Sequence, residues 1–242
     1  MTSAKPLVVI TGASSGIGEE CAKVFSALGH PLLLLARRVE RMEALGLPNT
    51  LCRKVDVTDR AALAAAVAEA EAQYGPVDLL LNNAGVMLLS PVVDQNPEEW
   101  DTMVDVNVKG VQNGVFAVLK GMLARERGTI INVSSVAGRK LFGGASAYCG
   151  TKFAVHAFSE GLREECAAKN VRVSVIAPGL VATELLSHTT NDALRTGFES
   201  WAASIGGGLS SKDVADAAVY IYNAPQSVHI REIVLTATKQ QA

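Results

Sequence analysis

The sequence lacks several features that would mark particular classes of protein. Its four cysteines are widely spaced and include no Cys-x-x-Cys pair, and its four histidines supply no ligand spacing. These patterns argue against a disulfide framework and against a zinc site. The net charge of -2 provides no basic field for nucleic acid or for an acidic membrane surface. We therefore expect reduced and mostly buried thiols, no bound metal, no nucleic-acid partner and no membrane partner.

Long apolar runs are also missing near the N-terminus. The first apolar segment, residues 7–10, follows Lys5 and is far too short for a signal peptide or a membrane span. Hydrophobic residues make up 49% of the chain, which is enough for a large core at this length. We expect a soluble, cytoplasmic protein with a single domain over residues 1–242.

Short apolar segments alternate with helical patterns along the whole chain. Strands are predicted at residues 7–10, 32–36, 52–57, 77–82, 129–133, 171–176 and 230–235, and helices at 16–29, 60–74, 98–125 and 147–169. This alternation predicts an α/β fold: a doubly wound, Rossmann-like parallel sheet flanked by helices on both faces. Ligands of such sheets bind beyond the carboxyl ends of the strands. Chemically unusual residues lie at or just after the predicted strand ends: Gly12, Arg37, Asp56, Asn83, Ser135 and Pro178.

A glycine-rich turn joins the first predicted strand to the first predicted helix. Glycine permits a tight turn and a close approach to a pyrophosphate, whose charge suits a helix N-terminus. The spacing is Gly-x-x-x-Gly-x-Gly rather than Gly-x-Gly-x-x-Gly. A flexible loop without a ligand is the alternative for this turn taken alone. The candidate phosphate-binding residues are Gly12, Ser14, Ser15, Gly16, Ile17 and Gly18.

The second predicted strand ends without a carboxylate. An acidic residue there would hold the adenosine ribose hydroxyls of NAD, whereas this sequence has Ala36-Arg37-Arg38. Arg37 is placed to bind a ribose 2′-phosphate through charge-assisted hydrogen bonds, and Arg38 to stack on the adenine or to assist. The alternative is a solvated basic helix start with surface ion pairs. We predict NADP(H) as the coenzyme in preference to NAD.

Six short motifs occur in a fixed order over essentially the whole chain. They are Thr11 to Gly18, Asn82-Asn83-Ala84-Gly85, Asn107 within residues 104–108, Ser135 within 131–135, Tyr148-x-x-x-Lys152, and Pro178-Gly179 followed by Thr183. Together they resemble the classical short-chain dehydrogenase/reductase family. The resemblance implies an enzyme that transfers hydride between a nicotinamide and a carbonyl or secondary alcohol.

The spacing of Tyr148 and Lys152 carries the predicted chemistry. Four residues apart, the two side chains share one face of a helix. A phenol with a pKa of about 10 is a poor base, and a neighbouring ammonium together with an oxidised nicotinamide lowers that pKa. In the reductive direction, Tyr148 would donate its proton to the carbonyl oxygen as hydride arrives at carbon.

The resemblance implies further roles. Ser135 would hydrogen-bond the carbonyl oxygen, with Ser134 as the alternative. Lys152 would also bind the nicotinamide ribose, and Asn107 would hold a water linking Lys152 to solvent; the alternative for Asn107 is a polar helix residue satisfied by backbone. Asp56 would contact the adenine, unless it only caps the next helix. The other implied coenzyme contacts are Val57 at the adenine, Asn83, Ala84 and Gly85 beside the ribose, and Pro178, Gly179, Val181 and Thr183 at the carboxamide.

The substrate wall is expected from Val86-Met87, from residues 136–142 and from a segment at about 184–210 that resembles the family's variable substrate loop. Apolar residues there favour a small, mainly apolar substrate, with packing beneath the loop as the alternative. Three cationic side chains could bind an anionic substrate, although we favour solvent-exposed surface positions for all three. They are Arg139, Lys140 and Arg195.

Assembly and two other functions stay open at this point. Related proteins commonly form dimers or tetramers through the two long helices, so we expect a homotetramer or a dimer. A 3-oxoacyl-carrier-protein reductase is the alternative enzyme, and a non-catalytic NADP-binding regulator is the alternative outside enzymes.

Overall fold

A parallel sheet of seven strands forms the centre of the protein, in a computed structural model that describes residues 5–241. The strand order is β3-β2-β1-β4-β5-β6-β7, and every pairing is parallel. The strands are β1 (Leu7–Thr11), β2 (Leu32–Ala36), β3 (Thr50–Lys54), β4 (Val77–Asn82), β5 (Gly128–Val133), β6 (Val171–Pro178) and β7 (Glu232–Leu235). The predicted doubly wound α/β fold is confirmed.

Helices cover both faces of the sheet. They are α1 (Gly16–Ala27), α2 (Val39–Glu43), α3 (Arg60–Tyr74), α4 (Pro97–Val104), α5 (Gly110–Arg125), α6 (Ser146–Cys166), α7 (Asp192–Ser204) and α8 (Ser211–Asn223). Alternate strand residues pack against opposite layers: Val9 lies in a core cluster with α3 and α5, and Val8 in one with α1 and α8. None of the helices described over residues 5–241 combines the length and apolar character that crossing a bilayer requires.

The third strand ends at Lys54 and does not reach Val57 as predicted. The Asp56 carboxylate accepts hydrogen bonds from the backbone N–H and the hydroxyl of Thr58, at 3.0 and 2.8 Å. This local turn competes with strand pairing and bends the chain away from the sheet. Asp56 and Val57 therefore lie in the turn after β3, at the carboxyl end of the sheet.

The long helix predicted over residues 98–125 is interrupted by a π-helical turn, Asp105–Lys109. There the Gly110 N–H donates to the Asp105 carbonyl, five residues back instead of four. Such turns insert one extra residue and are frequent at functional sites. Asn107 lies in the middle of this turn.

The segment at about 184–210, expected to resemble a variable loop, is mostly helical. A short 3₁₀ turn, Glu184–His188, precedes α7, and the Gly206-Gly207-Gly208 run follows that helix. The next helix, α8, begins with a capping box between Ser210 and Asp213. That helix covers the sheet beside α1, and the sequence interpretation did not identify it.

Helix α5 packs closely against the end of β4 at Gly114. A Cβ atom at this position would lie 2.1 Å from Asn82 Oδ1. The Asn82 Nδ2 donates to Asn132 Oδ1 at 2.9 Å, and the Asn132 Nδ2 donates to Ser159 Oγ at 2.9 Å. This buried chain of side chains joins β4, β5 and α6, and Gly114 provides the space for it.

We predict that Gly114→Ala destabilises the protein by about 1–3 kcal/mol, because the added methyl group overpacks the site. Alanine normally stabilises a helix relative to glycine by about 0.5–1 kcal/mol. Gly161→Ala on α6 is the control, since no atom lies within 4 Å of its added Cβ and it should give that ordinary gain. Urea unfolding measures both changes, and stabilisation by both substitutions would contradict the close approach.

Candidate active site

A cavity of about 910 Å³ opens at the carboxyl ends of the strands, where the chain leaves β1 and β4 toward opposite sides of the sheet. This volume is within the range of small-molecule and cofactor sites. Most of the predicted site residues line it, while Gly18 and Asn107 do not. Those in the lining are Gly12, Ser14, Ser15, Gly16, Ile17, Arg37, Arg38, Asp56, Val57, Asn83, Ala84, Gly85, Ser135, Tyr148, Lys152, Pro178, Gly179, Val181 and Thr183.

The glycine-rich turn is fastened to the chain that follows β4. The Thr11 hydroxyl accepts from the backbone N–H groups of Asn83 and Ala84, at 3.0 and 3.1 Å. In return, Asn83 Nδ2 donates to the Thr11 and Gly12 carbonyls, at 3.1 and 3.2 Å. A Cβ at Gly12 would lie 2.7 Å from Ala84 Cα, and one at Gly18 would lie 2.4 Å from the Gly12 carbonyl oxygen. Gly18 is thus needed for packing beneath the turn rather than as part of the cavity wall.

The two arginines after β2 differ in their surroundings. Arg38 Nη2 donates to Ser15 Oγ at 3.0 Å, and its Nη1 donates to Glu184 Oε2 at 2.9 Å. Arg37 is exposed, and its side chain makes no hydrogen bond to any residue in the described range 5–241. One guanidinium is therefore anchored on the glycine-rich turn, and the other is available to a ligand. Glu184 lies far along the sequence from both, so no local pattern identified it.

The turn after β3 is held from behind by α5. Asn113 Nδ2 donates to the Val57 carbonyl at 2.8 Å, and its Oδ1 accepts from Arg60 Nε at 2.8 Å. A Cβ at Gly110 would lie 2.7 Å from Val57 Cγ2. These contacts fix the position of Asp56 and Val57 at the cavity wall. Sequence reasoning missed Asn113, which reads as an ordinary polar residue in a helix.

Tyr148 and Lys152 lie together on α6, and each is only 6% exposed. Lys152 Nζ donates to the Val133 carbonyl at 3.1 Å and lies 5.7 Å from the centre of the Tyr148 ring. Burial lowers the pKa of Lys152 to about 8. Burial raises the pKa of Tyr148 to about 12, and the nearby Ser135 hydroxyl acts in the opposite direction. The chain alone therefore shifts the pKa of Tyr148 upward, because burial of the phenol outweighs the Ser135 hydrogen bond. The lowering predicted from the sequence also requires the positive charge of an oxidised nicotinamide.

The two neighbouring serines have different partners. Ser134 Oγ lies 3.0 Å from His156 Nδ1 and donates to the Lys152 carbonyl at 3.2 Å. Ser135 Oγ accepts a hydrogen bond from the Ala137 N–H at 3.1 Å. This bond caps the start of the 3₁₀ turn Val136–Gly138. Ser134 is thus bound to protein groups, whereas Ser135 lies beside the Tyr148 phenol.

The Asn107 side chain is 1% exposed and is bonded on both sides by protein. Its Oδ1 accepts from the Val86 N–H at 2.8 Å. Its Nδ2 donates to the Val86 carbonyl at 2.9 Å and to Thr151 Oγ1 at 3.1 Å. These contacts match the alternative interpretation, a helix residue satisfied mainly by backbone.

The chain after β6 crosses back toward the glycine-rich turn. A Cβ at Gly16 would lie 3.0 Å from Thr183 Cγ2. The Leu180 N–H donates to Gln240 Oε1 at 2.9 Å, and the Gln240 amide group also packs on Gly179. Gln240 lines the cavity. It lies in a polar stretch near residue 242, and no sequence signal marked it.

The end of the cavity beyond Tyr148 is mainly apolar. The Phe198 and Trp201 rings meet edge to face with centres 5.1 Å apart. Other apolar side chains complete this wall: Val86, Met87, Leu89, Phe142, Leu185, Leu186 and Leu194. The three cations considered for an anionic substrate, Arg139, Lys140 and Arg195, are not in the lining. Among the residues that the structure describes, no group of three or more His, Cys, Asp or Glu side chains is arranged to hold a metal ion.

Comparison with known proteins agrees with this geometry. An uncharacterized oxidoreductase of Staphylococcus saprophyticus is 38% identical over 240 residues, covering 97% of this chain and 96% of that one. An NADP-dependent 3-hydroxy acid dehydrogenase of Salmonella typhi is 37% identical over 242 residues, with coverages of 97% and 96%.

A solved structure, the closed form of serine dehydrogenase complexed with NADP⁺, is 32% identical with a TM-score of 0.89, covering 98% of this chain and 96% of that one. The family model for short chain dehydrogenase matches residues 6–194. Because this match includes most of the chain, the protein belongs to the short chain dehydrogenase family of oxidoreductases.

Proposed function

We propose that the protein is an NADP(H)-dependent oxidoreductase acting on the carbonyl or secondary alcohol of a small, mainly apolar substrate. The observation that carries this proposal is the continuity of one cavity. It runs from the glycine-rich turn and Arg37 to Tyr148 and Lys152, and then to the apolar wall around Phe198. A site of this shape has room for a dinucleotide and for a substrate beside it.

The residues present suit an NADP(H) coenzyme. The glycine-rich turn lines the cavity at the start of α1, where a pyrophosphate is favoured. Arg37 and Arg38 supply positive charge for a ribose 2′-phosphate. When bound, the coenzyme would supply or accept hydride. The remaining contacts proposed for it are Asp56, Val57, Asn83, Ala84, Gly85, Lys152, Pro178, Gly179, Val181 and Thr183.

The proton chemistry follows from the two pKa shifts. With a pKa raised to about 12, Tyr148 is protonated at neutral pH and can donate that proton to a carbonyl oxygen. Lys152, with a pKa lowered to about 8, is still mostly charged at neutral pH and stabilises the phenolate that remains. Ser135 is proposed to hydrogen-bond the oxygen as negative charge develops on it.

Asn107 is proposed to act through its place in the π-helical turn. Its side chain fastens the chain at Val86 to α6 at Thr151, one residue before Lys152. The family resemblance implies a bound water at this place. Such a water would hydrogen-bond backbone groups that the π-helical turn leaves without their regular helical partners.

The apolar wall favours an uncharged carbonyl substrate. Apart from Arg37, Arg38 and Lys152, no arginine or lysine lies among the described residues that line the cavity. A substrate carboxylate would be costly to bury there without a cationic partner.

Two observations speak against the other functions. Arg139 and Arg195 are paired with Glu232 and Asp192 rather than forming a basic surface for a carrier protein. The paired Tyr148 and Lys152 would have no purpose in a non-catalytic regulator.

A homotetramer or dimer through α5 and α6 remains our proposal for the assembly. Phe116 on α5 is 62% exposed and Phe153 on α6 is 40% exposed. Large apolar groups exposed on neighbouring helices favour burial against another copy of the chain.

We predict that the wild type oxidises NADPH in the presence of neutral aldehydes, ketones or diketones, and more slowly with 3-oxo acids. Tyr148→Phe should lower kcat by about 10²- to 10⁴-fold because the proton donor is lost. The affinity for NADPH, measured by fluorescence titration, should change little. Tyr220→Phe on the exposed face of α8 is the control and should turn over like the wild type. Equal turnover by Tyr148→Phe and wild type would refute the mechanism.

We predict that Arg37→Asp relaxes the coenzyme preference. The NADPH dissociation constant should rise about 10- to 100-fold, as expected for lost hydrogen bonds between charged groups. Binding of NADH should be unchanged or improved. Titration of both coenzymes against Arg37→Asp and against Arg53→Asp, which changes a partly exposed arginine outside the cavity, measures the effect. Unchanged NADPH affinity in Arg37→Asp would remove Arg37 from the phosphate site.

We predict that kcat/KM for NADPH, at saturating carbonyl, is constant at low pH and falls as pH rises through about 8. The active form carries a protonated Lys152, and the pKa of that group in the folded protein is lowered to about 8. Lys152→Arg, if active, should show no such decline because a guanidinium stays charged. Rate profiles from pH 6 to 10 test this, and a decline shared by both proteins would assign it to another group.

A further inference from the structure

Behind the Ser135 turn, the imidazole ring of His156 joins separate parts of the chain. Its Nδ1 lies 3.0 Å from Ser134 Oγ at the end of β5 and 3.1 Å from the Lys152 carbonyl on α6. Its Nε2 lies 3.0 Å from Glu232 Oε1 at the start of β7. One side chain thus bridges the strand that leads to Ser135 and the helix that carries Lys152.

The 3₁₀ turn Val136–Gly138 lies directly on this ring. A Cβ at Gly138 would come within 2.3 Å of His156 Nδ1, so only glycine permits the contact. The next residue, Arg139, donates to the second oxygen of Glu232 at 2.5 Å. The turn that Ser135 begins is therefore held on the ring by packing and on Glu232 by an ion pair.

The partners of the ring fix its orientation. Glu232 is partly buried, which raises its pKa, but hydrogen bonds from Arg139 and His156 outweigh this and hold the pKa below its usual value. The resulting carboxylate only accepts hydrogen bonds, so it requires a proton on His156 Nε2. In the neutral ring Nδ1 then has no proton, and the single proton of the Ser134 hydroxyl can be donated either to Nδ1 or to the Lys152 carbonyl.

We propose that His156, held by Glu232, is a positioning residue that sets the Ser135 turn relative to Tyr148 and Lys152. This inference rests on the proposed function. Tyr148, Lys152 and His156 follow one another at four-residue spacing on α6, so they share one face of the helix. His156 does not line the cavity and acts only through its neighbours. Misplacement of a catalytic group by about 1 Å costs on the order of 10²-fold in rate. Loss of the contacts that hold the Ser135 turn should therefore have a measurable effect on kcat.

The test compares two substitutions of His156. His156→Phe keeps the ring volume and removes the hydrogen bonds to both Ser134 and Glu232. We expect kcat to fall about 10-fold or more, while KM and the dissociation constant for NADPH stay within about twofold. His156→Asn places an amide near the position of Nδ1 and should recover part of the lost kcat.

His229→Phe is the matched control. His229 is also partly buried and bonds a backbone carbonyl, with Nε2 2.8 Å from the Val173 oxygen, outside the cavity lining. We expect this substitution to lower the unfolding midpoint and to leave kcat unchanged. A role of His156 in stability alone would make the two phenylalanine variants alike.

Amide hydrogen exchange of residues 134–138 gives a second measurement that needs no turnover. We expect faster exchange in His156→Phe and wild-type exchange in His229→Phe. If the wild type reduces no carbonyl in the panel, the proposed function fails and exchange alone decides whether His156 holds the turn. If the wild type is active, an unchanged kcat in His156→Phe or unchanged exchange at residues 134–138 overturns the inference.

Discussion

The contact between the end of β1 and the chain after β4 determines how the rest of the cavity is built. Thr11 and Asn83 exchange hydrogen bonds across this contact, and the bonds close only because Gly12 lets Ala84 approach within van der Waals range. The start of α1 and the cavity wall formed by Asn83 and Ala84 are thereby fixed to one another. The proposed pyrophosphate site and the placement of the cavity wall next to it both depend on this junction between neighbouring strands.

Burial divides the two central side chains into distinct roles. A phenol and an ammonium in the same low-dielectric surroundings shift in opposite directions, because each loses the hydration of its charged form. The pKa of Tyr148 rises to about 12, so the phenol stays protonated at neutral pH, and the pKa of Lys152 falls to about 8. In the proposed mechanism, this burial provides a proton donor suited to carbonyl reduction and limits the pH range in which Lys152 can support it.

Local patterns in the sequence predicted most of the strands and the edge of the sheet at which the candidate site residues lie. Continuous apolar segments gave β1, β2 and β4, and the residues that follow those strands do meet at one edge of the sheet. The π-helical turn at Asn107 was not predicted. A local change from four-residue to five-residue hydrogen bonding within a helix leaves no periodic pattern in the sequence. Glu184, Asn113 and Gln240 were missed because their partners are remote in sequence and their own surroundings are ordinary polar stretches.

The bridge from Glu184 to Arg38 has a thermodynamic consequence. Glu184 begins the 3₁₀ turn leading into the apolar wall, whereas Arg38 rests on the glycine-rich turn. An anion that binds the Nη1 group of Arg38 competes with the Glu184 carboxylate for that donor. Anion binding at Arg38 and the bridge to Glu184 are therefore linked, and such linkage is reciprocal: whatever stabilises the bridge weakens the binding of the competing anion by the same factor.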